Sequence, residues 1–140
     1  MLDLFSPGNL FVLLNRISKL IKIILIPLLI VSLILALITS PQDYIQGDSV
    51  RIMYVHVPSS WIALGCFSFL GFFTILNFLF RIKNALLIYK SLAPIGFIFC
   101  LISIVTGSLW GQPTWGTFWA WDARLTSMLV LLFFYLIFIL

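Results

Sequence analysis

The chain has 140 residues, of which 63% are hydrophobic and only 9% are charged, and its mean hydropathy is +1.22. Soluble globular domains carry roughly 25% charged residues, so this composition excludes that class and predicts an integral membrane protein. The formal net charge of +4 comes from basic residues that flank apolar runs, so it indicates membrane topology rather than a nucleic-acid-binding surface.

The N-terminal part of the chain combines an amphipathic segment with a first candidate span. Before residue 21, apolar residues recur at helical spacing around Arg16 and Lys19, which predicts a short amphipathic helix on the inner membrane surface. These apolar positions are Leu10, Phe11, Leu13, Leu14, Ile17 and Leu20. Residues 21–38 approach the length of about 20 apolar residues that a spanning helix needs. No clear small-x-small cleavage pattern follows, so we expect an uncleaved span.

Three further apolar runs are candidate spans, at residues 57–80, about 92–110 and 125–140. We therefore predict an all-α integral membrane protein with a single membrane domain over residues 1–140 and four transmembrane helices. The last run is shorter than a full span and has no polar flank. We expect this fourth helix to be incomplete, and the chain to be truncated at its C-terminus or a fragment of a longer membrane protein.

The basic residues predict how these spans are oriented. Arg16 and Lys19 precede the first span and Lys22 lies at its edge. Arg81, Lys83 and Lys90 lie between the second and third spans, and the other two links hold Arg51 and Arg124 alone. By the positive-inside rule the N-terminus and the second link face the cytoplasm. The links at 39–56 and 111–124 therefore face outward together, which places a tryptophan-rich segment and the single histidine on the same side.

The tryptophan-rich segment, WGQPTWGTFWAWDARLT at residues 110–126, holds four of the five tryptophans. Tryptophan commonly anchors a span at the headgroup layer, but four in such a short stretch exceed what an anchor requires. On a helix Trp115 and Trp119 would share one face, and on a strand Trp119 and Trp121 would do so. Either arrangement predicts a flat apolar surface of at least two indoles. An interface belt and a ligand platform both remain open.

Asp122 and Arg124 follow the tryptophans directly. Charged residues are unfavourable at membrane depth, so their presence suggests a function. In one interpretation Asp122 caps the next helix or pairs with Arg124 at the water boundary. In the other, Arg124 binds an anionic group of a ligand with its planar guanidinium.

The single histidine, His56, lies in the stretch MYVHVPSSWIALG. Pro58 favours a helix that starts just after this histidine, because proline at the first helical position loses no needed hydrogen bond. His56 is then at the outer mouth of the second span, either as a solvated interface residue or as an iron ligand. An aromatic floor, a histidine and the nearby Arg124 together suit a large flat molecule with carboxylates, and haem fits that description.

Two motifs carry a resemblance to a known family. The run WGTFWAWDARLTS from Trp115 to Ser127 resembles the tryptophan-rich signature of haem-handling proteins. HVPSSW, from His56 to Trp61, resembles the start of a span in one branch of them, the cytochrome c maturation protein C or haem exporter protein C family. The resemblance covers the chain from about residue 40 to its end. It implies that haem is held at the outer face between two axial histidines.

Carried over position by position, the resemblance assigns the first axial ligand to His56 and the signature to Trp115, Trp119, Trp121 and Asp122. The family's second axial histidine lies in a later outward loop, after the fourth span. This chain has one histidine, so we expect its haem site to be incomplete.

The resemblance also implies a role in the maturation of c-type cytochromes. The expected location is a bacterial inner membrane, as a multi-pass protein with a cytoplasmic N-terminus and a haem site on the periplasmic side. The implied partners are a haem chaperone, a small single-span subunit and an ATP-binding-cassette haem-export transporter. We predict a haem-presenting and loading factor in contact with membrane lipid, rather than an enzyme, a pore or a nucleic-acid-binding protein.

The main alternative is a transport subunit whose tryptophans are only interface anchors and whose histidine lines a path. A transporter should place polar or ionisable residues deep in its spans. The second and third spans hold mainly hydroxyl and amide groups without a charge: Ser68, Thr74, Asn77, Ser103 and Thr106. The absence of charged residues from these two spans favours a site at the surface of the membrane over a transport path. A third possibility is a structural subunit that binds no ligand.

A topology reporter tests the predicted orientation. Alkaline phosphatase, which is active only outside the cytoplasm, should be active when fused near Asp48 or Gly116 and inactive when fused near Asn84, because basic residues flank the inner segments. The opposite pattern would place the tryptophan-rich segment and His56 in the cytoplasm.

Overall fold

The computed structural model describes residues 7–82 and 85–140, and this part of the chain is helical without a β-strand. Contacts divide the chain into two compact units, one ending at Ser40 and the other formed by Pro41–Leu140. Within the described part, three helices are long and apolar enough to cross a membrane, and a fourth apolar helix is shorter. This confirms the predicted all-α membrane class. The helices are α1 (Pro7–Ile34), α2 (Val50–Phe80), α3 (Ala85–Trp115) and α4 (Ala123–Ile139).

The first helix joins the predicted amphipathic segment to the first predicted span. α1 continues beyond Ile34 as a π-helical turn over Leu35–Thr39. The segment before residue 21 is therefore helical, but it is continuous with the span rather than a separate surface helix. No glycine or proline occurs between residues 9 and 26, so nothing interrupts the backbone hydrogen bonding. At 1.5 Å per residue the apolar part, Phe11–Thr39, is about 43 Å long and exceeds the roughly 30 Å of bilayer hydrocarbon.

The second helix begins earlier than predicted. α2 starts at Val50 and includes Pro58, so the prediction of a helix that starts just after His56 is wrong. Pro58 lacks the N–H that would bond the Tyr54 carbonyl, but membrane helices tolerate proline. The hydroxyls of Ser59 and Ser60 bond the carbonyls of Val55 and His56, at 2.7 and 2.9 Å. His56 therefore lies inside α2, and the loop before the helix is shorter than expected.

That loop, over residues 41–49, is ordered by its own side chains. Asp43 accepts backbone N–H bonds from Gln46 and Ile45 at 2.8 and 2.9 Å. These two bonds lower the pKa of the Asp43 carboxyl group. The side chain of Gln46 also accepts a hydrogen bond from Trp110 Nε1 at 3.0 Å. The loop is thereby attached to the end of α3.

The link between α2 and α3 carries part of the predicted topology signal. After Phe80, Arg81 adopts a left-handed backbone conformation with φ +49° and donates its N–H to the Asn77 carbonyl at 2.8 Å. Lys83 and Asn84 lie outside the described residues. The basic residues near this link remain a topology signal taken from the sequence.

α3 is the central helix of the Pro41–Leu140 unit and packs against both α2 and α4. It passes through Pro94 and Pro113 and extends beyond both ends of the predicted span over 92–110. One face is buried and consists of small residues at intervals of three and four, which share a helix face. They are Ala93, Gly96, Cys100, Ser103, Gly107 and Gly111. Small residues allow helix backbones to approach closely in a membrane.

α4 is attached to this small-residue face by Tyr135, whose side chain is fully buried. The ring lies over Gly96 of α3, and the hydroxyl donates a hydrogen bond to the Ala63 carbonyl of α2. The ring also packs edge-to-face on Phe67 of α2, with 5.6 Å between the ring centroids. One side chain of α4 thus contacts both other helices of the unit, a role that an apolar run in the sequence does not reveal.

Gly96→Ala should weaken the attachment of α4. A Cβ at this position would overlap the Tyr135 ring, and overpacking of this kind costs about 1–3 kcal/mol. We expect a lower melting temperature for the purified protein in detergent. Gly71→Ala on α2 is the control, because a Cβ there meets no atom within 4 Å and alanine favours a helix. Equal melting temperatures for the two variants would contradict the packing.

Candidate ligand-binding site

A cavity of about 320 Å³ lies between α2, α3 and the start of α4. It brings together side chains that are far apart in the sequence. Four of the six predicted site residues line it: His56, Trp115, Asp122 and Arg124. The other lining residues are Ser60 and Leu64 from α2, Ser103, Ile104, Gly107 and Trp110 from α3, and Leu125, Ser127 and Met128 from α4.

His56 reaches the cavity from the second turn of α2, and its ring is held by α3. Nδ1 lies 3.0 Å from the Ser103 carbonyl oxygen and 3.1 Å from Thr106 Oγ1. Among the described residues, no group forms a hydrogen bond with the other ring nitrogen, Nε2. A histidine that is held through one nitrogen and leaves the other unpaired is the usual arrangement at protein metal sites.

The groups that hold His56 were not among the predicted site residues. A Cβ at Gly107 would lie 2.9 Å from His56 Cε1, so the absence of a side chain makes room for the ring. The hydroxyls of Ser60 and Ser103 bond each other across the two helices at 2.6 Å. The sequence does carry a signal, since Ser103, Thr106 and Gly107 are spaced to share a helix face. That signal is weak, because small and polar residues are common where membrane helices meet.

The four tryptophans of the segment form two edge-to-face pairs rather than one flat floor. Trp110 and Trp115 have ring centroids 5.5 Å apart and an interplanar angle of 72°. Trp119 and Trp121 are also 5.5 Å apart, at 77°. The prediction of a flat indole surface is therefore wrong, because the two rings of each pair are close to perpendicular, one of the arrangements that the ring quadrupole favours. In addition, α3 ends at Trp115 and Gly116 has φ +76°, so Trp119 is not on the same helix.

The two pairs lie differently with respect to the cavity. Trp110 and Trp115 line it, whereas Trp119 and Trp121 are not among its lining residues. Trp121 is 79% exposed. The indole N–H of Trp119 is buried, and no described residue accepts a hydrogen bond from it. A buried donor without an acceptor is unfavourable. Trp110, although part of the segment, was not predicted as a site residue.

Asp122 and Arg124 organise the start of α4. Asp122 Oδ1 accepts the Leu125 backbone N–H at 2.9 Å and so caps the helix. Its Oδ2 accepts bonds from Nη2 and Nε of Arg124 at 2.7 and 3.0 Å. The Leu125 N–H, followed by the Arg124 guanidinium, lowers the pKa of the Asp122 carboxyl group, which is therefore ionised at neutral pH. The cap and the ion pair that the sequence suggested are both present.

Arg124 keeps donors available after this pairing. Its guanidinium carbon lies 4.8 Å from the centroid of the Trp115 ring, a cation–π contact. Among the described residues nothing accepts a bond from Nη1, and the side chain is 71% exposed. One edge of the guanidinium is thus fixed by Asp122, while the other can bind an anionic group beside the cavity.

The described residues contain no group of three or more histidine, cysteine or acidic side chains placed to hold a metal ion. The cavity instead combines one imidazole, from His56, with an aromatic wall and the Arg124 cation. The aromatic wall and the cation together suit a ligand that is largely apolar and carries anionic groups.

Comparisons with known proteins agree in one family. The family model described as Heme exporter protein C matches residues 1–140. The Heme exporter protein C of Haemophilus influenzae is 42% identical over 122 residues, which are 87% of this chain and 50% of that protein. That of Escherichia coli K12 is 48% identical over 96 residues, 69% of this chain and 39% of that protein.

A third relative comes from a plant. A protein of Marchantia polymorpha, described as a putative cytochrome c biosynthesis mitochondrial protein, is 45% identical over 102 residues, 73% of this chain and 45% of that protein. The chain thus spans half or less of the length of these three relatives.

Proposed function

The chain belongs to the haem exporter protein C family, and on this premise we propose that it binds haem in the cavity between α2, α3 and α4. The observation that carries the proposal is His56, whose Nδ1 is bonded to α3 and whose Nε2 has no partner among the described residues. Haem is held there on the outer side of a bacterial inner membrane, for the maturation of c-type cytochromes.

Haem matches the number of ligands that the cavity offers. Its porphyrin supplies the equatorial nitrogens of the iron, so the protein has to contribute only axial ligands. One imidazole is therefore enough to attach haem iron, although it would not be enough for a bare ion. We assign that role to His56, with Nε2 as the ligand atom.

Haem also carries carboxylate groups, which Arg124 is suited to bind. Its Nη1 edge is directed away from the Asp122 pair, and its position over Trp115 keeps the guanidinium beside the cavity. Carboxylates form their strongest hydrogen bonds with guanidinium groups of this geometry. In this proposal Asp122 acts on the ligand indirectly, because it fixes the orientation of Arg124.

The aromatic residues provide the apolar wall. Trp110 and Trp115 line the cavity together with aliphatic side chains of α2 and α3. A cavity of about 320 Å³ is at the small end of the roughly 300–1,000 Å³ typical of ligand sites. It therefore encloses a porphyrin only in part. We propose that Trp119 and Trp121 contact the part that remains outside.

A site that is partly open suits a protein that passes its ligand on. We propose that this site presents haem to a haem chaperone, together with a small single-span subunit and an ATP-binding-cassette haem-export transporter. Presentation requires binding and release without covalent change by this chain, so we assign no catalytic residue.

His56→Ala should remove or strongly alter the absorbance bands of haem bound to the purified protein. The chain has one histidine, so the variant has no imidazole left to bind iron. Added imidazole should restore the bands in the variant. In the unmodified protein it should fill the second axial position and shift the bands toward those of six-coordinate haem. Unchanged bands in His56→Ala would make His56 an interface residue and favour the alternative of a transport or structural subunit.

Trp115→Ala should weaken haem binding more than Trp121→Ala. Trp115 lines the cavity, whereas Trp121 is largely exposed outside it. Aromatic contacts contribute roughly 0.5–1.5 kcal/mol beyond area burial, and Trp115→Ala removes both terms, so we expect a loss of affinity of about tenfold or more. Titration of both variants with haem in detergent gives the comparison. A larger loss for Trp121→Ala would place the ligand on the loop surface, and no loss for either would make the tryptophans membrane anchors.

A further inference from the structure

A neutral imidazole exists as one of two tautomers, and the tautomer decides which nitrogen can bind a metal. The nitrogen that carries the hydrogen donates it, and the other nitrogen offers its lone pair. In this protein the surroundings of the His56 ring on α3 distinguish its two nitrogens.

Two acceptors face Nδ1 of His56. The Ser103 carbonyl oxygen lies 3.0 Å away, and a carbonyl oxygen can only accept a hydrogen bond. Thr106 Oγ1 lies 3.1 Å away, and its own hydrogen is directed to the Ile102 carbonyl at 2.7 Å. Both groups therefore present lone pairs to Nδ1. The ring hydrogen therefore belongs on Nδ1. An unprotonated Nδ1 would direct its own lone pair at the lone pairs of these two acceptors, which is unfavourable.

The ring reaches these acceptors because Gly107 has no side chain. A Cβ at this position would lie 2.9 Å from His56 Cε1, closer than the about 3.5–4.0 Å at which carbon atoms pack. The hydroxyl of Ser103 does not compete for the imidazole, because it is buried and bonded to Ser60. The contact between α2 and α3 thus fixes both the position and the hydrogen of the ring.

We propose that α3 selects the ligand nitrogen of His56. The Ser103 carbonyl and the Thr106 hydroxyl are positioning groups that stabilise the Nδ1–H tautomer. Gly107 leaves the space that the ring occupies. Nε2 is then the atom that binds iron. The role toward iron rests on the proposed function, whereas the tautomer does not. An acceptor for the ring N–H makes the ligand nitrogen more basic, and loss of such a partner typically lowers metal affinity about 10–100-fold.

The tautomer is measurable without haem, because His56 is the only histidine of the chain. Labelling of histidine with ¹⁵N gives signals from one ring, and the ¹⁵N chemical shifts distinguish a protonated from an unprotonated nitrogen. For the neutral ring we expect a protonated Nδ1 and an unprotonated Nε2. A protonated Nε2 in the unmodified protein would overturn the proposal, whether or not the protein binds haem.

Thr106→Val removes one acceptor with little change of shape. In this variant we expect a fraction of the rings to adopt the Nε2–H tautomer. Haem binding should weaken about tenfold, the low end of the 10–100-fold range, because the Ser103 carbonyl remains. Thr106→Ser keeps the hydroxyl and should restore both properties. Thr74→Val is the matched control, because the Thr74 hydroxyl also bonds the carbonyl four residues earlier, at 2.7 Å. An equal effect of Thr74→Val, or no recovery with Thr106→Ser, would show that Thr106 does not act through His56.

Gly107→Ala tests the space for the ring. The added methyl group should move the imidazole away from both acceptors and shift the tautomers toward the mixture of an exposed histidine. Gly71→Ala controls for the change of glycine to alanine within a helix. An unchanged tautomer in Gly107→Ala would contradict the proposal. A protein that shows the Nδ1–H tautomer but binds no haem would uphold the tautomer and overturn the proposed function, so the two failures are distinguishable.

Discussion

The close approach of α3 to both of its neighbours is the constraint on which the rest of the Pro41–Leu140 unit depends. Lipid is as apolar as the helices themselves, so membrane helices associate through packing and hydrogen bonds. α3 meets this requirement twice in the same way. At Gly96 it receives the ring of Tyr135 from α4, and at Gly107 it receives the ring of His56 from α2. These two glycines are eleven residues apart, three helical turns, and therefore share one face.

The two rings differ in how their polar atoms are used. The hydroxyl of Tyr135 is bonded to a carbonyl of α2, so this contact is complete within the protein. His56 is bonded through Nδ1, while its Nε2 has no partner among the described residues. In the proposed function, Nε2 of His56 and the Nη1 edge of Arg124 are the groups at which a second molecule would bind.

The sequence predicted the all-α membrane class, because hydropathy is read directly from the residues. It also singled out four of the residues that line the cavity, His56, Trp115, Asp122 and Arg124, but not the other lining residues. It did not predict the extent of α2, since Pro58 was treated as a helix start and not as a residue inside a membrane helix. The edge-to-face tryptophan pairs depend on where α3 ends at Trp115, and the contacts of His56 depend on which residues of α3 lie opposite. Such pairings between helices leave little trace in one sequence, because many small and polar residues satisfy the same spacing.

Pulsed electron paramagnetic resonance of the ferric haem complex tests the central claim, that His56 binds haem iron through Nε2. With histidine labelled by ¹⁵N at Nε2 alone, the single histidine of the chain carries the only label, while Nδ1 and the porphyrin nitrogens remain ¹⁴N. We expect a strong ¹⁵N hyperfine coupling from one directly bonded nitrogen. Haem that is bound, as shown by its absorbance, but gives signals from ¹⁴N alone would contradict it.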